Sequence, residues 1–162
     1  PPPTLPTSGD AAQLIGVLDN ICKPLVRGGN LDQLAPAQGF KKNRRDGSYT
    51  AMLGTKPYTV TIANPGSNKD VCAISLNYAI GQHDPIVKGL AVWSFLQQPQ
   101  MTMQRNDFAT GGDGVKRTTI SWEHYTNAIS NGLVFVRLNK PDGAPLGKNA
   151  DQATLLYSER KL

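Results

Sequence analysis

Cys22, Cys72, His83 and His124 are the residues of this 162-residue chain best suited to hold a metal or act as a nucleophile. A structural zinc site needs four such ligands, usually delivered as closely spaced pairs. No two of these lie at that spacing, so no metal site is expected. A catalytic thiolate needs a cationic neighbour or a helix N-terminus, and exposure to substrate. Cys22 falls instead in the last turn of a helical pattern, where the dipole disfavours a thiolate. Cys72 alternates with Ile74, Leu76 and Tyr78, an apolar strand face. Both cysteines therefore turn toward the core, from a helix and a strand that should pack together. A Cys22–Cys72 disulfide fits this best; two free buried thiols are the alternative, because cysteine packs as a small hydrophobe. Closing a loop of about 50 residues stabilises by roughly 4 kcal/mol in the chain-entropy model. Disulfides persist in oxidising compartments, so a periplasmic or secreted protein is expected.

Other catalytic patterns are thinner. Ser158 and Lys161 in "SERK" match a Ser-x-x-Lys spacing, but in a tail expected to fray. Glu123 and His124 are adjacent on a strand pattern and so point to opposite faces. Asp84, beside His83, is expected to cap a helix. "TGGDG" (110–114) has the glycines of a phosphate cradle, yet no Lys-Ser or helix follows, and it reads as a hairpin turn. Asp107 and Asp113 miss a calcium-loop spacing. No catalytic residue and no cofactor is expected.

The net charge is +5, most of it in "KKNRR": Lys41, Lys42, Arg44 and Arg45. The rest of the chain is near neutral. A solvated loop is the plain reading, and a polyanion-binding site the sharper one. Phe40 and Tyr49 flank the cluster, which leaves nucleic-acid binding as a third reading, since nucleic-acid binders interleave base-stacking aromatics.

The elements that would position these residues follow from periodicity. Ala11, Leu14, Ile15, Leu18, Cys22 and Leu25 share a helical face, with Asp10 as cap and Pro24 as the expected stop. Asn30 opens a short second turn of helix that ends near Gly39. "GSYTAMLG" and "KPYTVTIA" read as a hairpin, and "VCAISLNYAI" as a third strand. Asp84-Pro85 starts a second long helix, closed by Pro99 and carrying Leu90 and Trp93 toward the core. Four strands follow, "MTMQRNDF", "VKRTTISWEHY", "LVFVRLNK" and "QATLLYSE", joined by Gly-, Asn- and Pro-rich loops. The expected fold is α+β: an antiparallel sheet with two helices on one face and a helix-plus-three-strand pseudo-repeat. "TVTIA…CAISLN" against "TTISW…VFVRLN" is the local echo that suggests the repeat.

Residues 1–9 are Pro-rich and read as a flexible tether, leaving 10–162 as a single α+β domain. The chain starts at Pro1 and not at Met, so processing or trimming of a longer chain is expected. No run approaches the roughly 18 apolar residues of a membrane span. The late Cys of the first helix, Gly39-Phe40 entering the strands and the early Cys of the third strand resemble small exported bacterial envelope proteins of unassigned function. That resemblance covers about residues 10 to 80 and implies a secreted or periplasmic domain, with no site residues. The expectation is an exported, disulfide-stabilised, non-catalytic domain that binds an envelope protein or an acidic polymer. A cell-envelope hydrolase is the runner-up, and nucleic acid through the 41–45 loop comes third.

Overall fold

The computed structural model describes residues 2–162; Pro1, part of the expected tether, lies outside them. Helix α1 (Gly9–Val17) runs through a π-helical turn (Leu18–Cys22) into α2 (Lys23–Val26). Pro24 does not stop it. A proline ring collides with the carbonyl four residues back and offers no N–H. The chain answers by widening the preceding turn: the Lys23 N–H donates to Leu18 O, five residues back. A π-turn of this kind admits a proline without breaking the helix. The stop comes at Gly28, whose φ of +97° needs glycine. There the Gly29 N–H donates to Pro24 O at 2.9 Å, a left-handed closure of the last turn.

The caps differ from expectation in two places. Helix α1 begins after Ser8, so Asp10 lies inside the first turn. Helix α4 (His83–Phe95) begins after Gln82, and Asp84 with Pro85 sits in its first turn without a capping bond. Helix α3 (Leu31–Ala37) is capped as expected, the Asn30 side chain accepting from the Asp32 N–H at 2.9 Å. Ahead of α1, Leu5 packs against the core.

Four strands follow α3, namely β1 (Lys41–Lys42), β2 (Tyr49–Met52), β3 (Thr59–Ile62) and β4 (Val71–Ala79), and four follow α4, namely β5 (Thr102–Thr110), β6 (Lys116–Tyr125), β7 (Ile129–Asn139) and β8 (Ala150–Lys161). They form one antiparallel sheet in the order β1-β2-β3-β4-β8-β7-β6-β5. Each half is a helical segment followed by a four-strand meander. The closing strands, β4 and β8, pair at the centre from Val71↔Ser158 to Ala79↔Ala150. The repeat is thus one strand longer than the sequence suggests, because the two-residue β1 is too short to show alternation. The echo noted in the sequence aligns β3 and β4 with β6 and β7, which are not equivalent strands in the two halves. Alternation makes any two neighbouring strands look alike.

Register decides what the sheet buries. Ile62, Ile74, Leu155, Phe135 and Ile120 stand side by side on one face. Beside them run Val60, Leu76 and Ala153, and then Cys72, Tyr157, Leu133 and Trp122. All are buried, in one cluster with Leu14, Leu18, Ile21, Leu90 and Trp93 of the helices. The helices therefore cover this face and no other. At Gly89 the helices come close: a Cβ there would lie 3.1 Å from Ala11 Cβ. Among the described residues no helix is long and apolar enough to cross a membrane.

Candidate binding surfaces

Cys22 and Cys72 are bonded to each other, with their Cα atoms 5.3 Å apart and both side chains fully buried. The disulfide fastens the end of the π-turn to the start of β4. Neither sulfur is free to act as a nucleophile or a ligand.

The basic segment 41–45 forms the exposed edge strand β1 and the turn after it. Asn43 and Asp46 side chains accept the N–H groups of Arg45 and Ser48 at 2.9 Å each, which shapes the turn. Lys42 is engaged: its Nζ lies 3.1 Å from Asp32 Oδ1, which also accepts from Tyr49 OH at 2.6 Å. The Tyr49 hydroxyl, and then Lys42, hold the Asp32 carboxyl below its ordinary pKa. Lys41, Arg44 and Arg45 take part in none of the ion pairs found among the described residues. Phe40 and Tyr49, the flanking aromatics, are both buried.

A cluster the sequence reading missed lies at one end of the sheet. His83, Asp84, Arg137 and Asp151 line a cavity of about 310 Å³ with Ile80, Gly81 and Pro145. Arg137 Nη2 donates to both oxygens of Asp151, at 3.2 Å each, and Asp151 is only 1% exposed. His83 Nδ1 lies 3.1 Å from Tyr78 OH. Burial, and then the Arg137 charge, push the His83 imidazolium below its ordinary pKa; burial pushes the Tyr78 phenol well above its own. The carboxylate is consumed by the guanidinium and one face of the imidazole by the phenol. The result is a polar network under the sheet end in which the buried Arg137 Nε is left without a partner. The signal in the sequence was parity: Arg137 and Asp151 occupy core-side positions, two residues from Phe135 and Ala153.

The remaining catalytic patterns are taken apart by the fold. Ser158 and Lys161 lie in paired β8, not in a frayed tail, and their odd separation places them on opposite faces. Glu123 and His124 likewise face opposite ways on β6. "TGGDG" is the β5–β6 hairpin turn, with Gly111 N–H donating to Val115 O at 3.0 Å.

The face of the sheet turned away from the helices is open over β4, β8 and β7, while on β6 Thr119 and Ser121 of the same face are buried. Its centre is apolar: Ala73, Leu156 and Val134 stand in one row, with Val136 and Leu138 alongside. Leu156 is 38% exposed, in the middle of an eight-stranded sheet. Around this centre lie short neutral polar side chains: Thr50, Thr61, Ser75, Asn77, Gln152, Thr154 and Thr119. Thr50 and Thr61 hydroxyls bond to each other at 2.8 Å. Charges on the β5–β6 side are mutually neutralised, Arg105 with Asp107 and Arg117 with Asp113, at 2.9 Å each. Comparison with protein-family models, with curated proteins and with solved structures finds no match.

Proposed function

We propose that this chain is an exported, disulfide-stapled binding domain whose open sheet face receives another protein. One observation carries the reading: an apolar centre of Leu156, Val134, Val136 and Leu138, bordered by neutral polar side chains and, on the β6 side, by Arg117 paired with Asp113, on a face no helix covers. Protein interfaces are built this way, with a core depleted in charge and a polar rim. An acidic polymer needs unneutralised cations along its path. On the β5–β6 side the arginines of this face are already paired with aspartates. Export is supported by the buried Cys22–Cys72 bond, a bond that persists in oxidising compartments.

A photocrosslinking residue placed at Thr154, on the open face, tests this in the organism's exported fraction against the same residue at Lys88, on the helix surface. An adduct of one defined mass is expected from position 154 alone, and Leu156→Glu should abolish it without loss of folding. Equal labelling from both positions sinks the reading. The polyanion alternative rests on Lys41, Arg44 and Arg45, exposed and free of ion pairs. Salt-dependent binding of heparin, lost when these three become Ser, would move the function to that loop. With Phe40 and Tyr49 buried, the loop has no aromatic face on which a base could stack.

A further inference from the structure

The two edges of the sheet are not alike. One is β1, two residues long and both of them lysine, which repels a second copy of itself. The other is β5, nine residues long, exposed at every position and free of proline and lysine. It carries Met103 and Phe108, 52% and 68% exposed. The Phe108 ring is held by Lys116, whose Nζ lies 4.4 Å from its centre. Nothing among the described residues covers the outer side of this strand.

The direction of its free backbone groups follows from the hairpin. Because Gly111 N–H donates to Val115 O, the alternation of an antiparallel pair turns the groups of Asp107 and Ala109 toward β6. Those of Asn106, Phe108 and Thr110 then face outward with no partner. An outward-facing residue can pair only with an outward-facing residue, so a twofold contact of β5 with itself has five registers over its regular part, centred on Asn106 to Thr110; the centres at Ala109 and Thr110 set no arginine opposite an aspartate of the strand. Centring on Asp107 sets two aspartates directly opposite each other, which is repulsive. Centring on Phe108 leaves Arg105 opposite Gly111. Centring on Asn106 sets Arg105 opposite the Asp107 of a second copy and Asp107 opposite its Arg105. These are the closely spaced, non-hydrogen-bonded positions, where side chains meet most directly. Both side chains are 57% exposed and lie on the same face. The bulge between Met103 and Arg105 ends the regular segment just beyond that pair.

From this self-complementarity we infer that β5 is a homodimerisation edge: two copies join antiparallel about Asn106 and extend the eight-stranded sheet to a continuous one of twice the width. An isologous contact of this kind pairs the Asn106 backbone groups of both copies and closes the assembly. The open face of each copy continues across the twofold. The contact lies at the margin of the proposed partner surface and leaves its apolar centre free, so either can fail without the other.

Sedimentation velocity of the intact chain over about 1–100 μM gives the test, with circular dichroism to establish that each variant is folded. The wild-type chain should pass from monomer to dimer as concentration rises. Arg105→Asp and Asp107→Arg each place like charges opposite one another twice, and each should weaken the dimer about tenfold or more. An equimolar mixture of the two variants places Asp opposite Arg at every position and should restore a dimer containing one of each. A wild-type chain that stays monomeric at about 100 μM overturns the inference. Single variants that dimerise like the wild type overturn the register, and so does a mixture that stays monomeric.

Discussion

Trp93 Nε1 donates to Asp19 Oδ1 at 2.9 Å, and its ring meets Tyr157 edge-on with centres 5.5 Å apart. At 1% exposure the indole belongs to the core, so its apolar body and its one polar atom are both satisfied. Trp93→Ala should cost about 3–5 kcal/mol in urea unfolding, as aromatic truncation in a core does. Asp19→Ala should cost about 1–3 kcal/mol by leaving the buried N–H unpaired. A Trp93→Ala loss under about 1 kcal/mol would place the ring outside the core. His83 belongs to the same scale. Its folded pKa is depressed, by burial first and then by Arg137, while Asp84 and Asp151 pull the other way and lose. The unfolded chain therefore takes up the proton first, at about pH 6.5, and stability is lost as pH falls below that value toward the folded one. Unfolding free energy should drop between about pH 7 and pH 5, and drop less in His83→Gln. Parallel curves for the two proteins would show that His83 titrates alike in both states.

At the scale of elements, the Cys22–Cys72 bond ties a helix to the strand that pairs with the second half of the chain. Replacing both cysteines with Ala should lower stability by about 2–4 kcal/mol in urea, because the unfolded chain regains a loop of about 50 residues. Thiol titration of the denatured, unreduced protein should find no free thiol, and two per chain would remove both the bridge and the reason to expect export. Helix α4 and its strands were readable because Ile86, Leu90 and Trp93 recur at helical spacing while each later strand alternates. The π-turn was not. Periodicity shows that Pro24 threatens a helix, but whether the chain breaks or widens depends on what the following turn buries. Here Leu25 is in the core, which rewards carrying the helix past the proline.

For the whole molecule, the single core shared by both halves makes a definite demand. Ile74 and Leu76 of β4 stand beside Leu155 and Ala153 of β8, and all four are buried only when the halves meet. Residues 1–80 and residues 81–162, made separately, should each lack a cooperative thermal transition in calorimetry. A sharp transition in either fragment would mean that one helix-and-meander unit folds alone, as an independent domain does.

The α+β class and the facing cysteines came from the chain read alone, since each depends on residues a few positions apart or on residue type. Turn chemistry at "TGGDG" and alternation along "VCAISLNYAI" belong to that local physics. Three features could come only from tertiary structure. The pairing of β4 with β8 is a contact between residues about 80 positions apart, which no periodicity encodes. Arg137 and Asp151 sit on different strands, and only strand order and register bring them together beside His83. The open face and the free edge of β5 depend on where the helices pack and which strand comes last. An alternating strand states that one of its faces is apolar; the assembled sheet alone decides what, if anything, covers the other face and the edge.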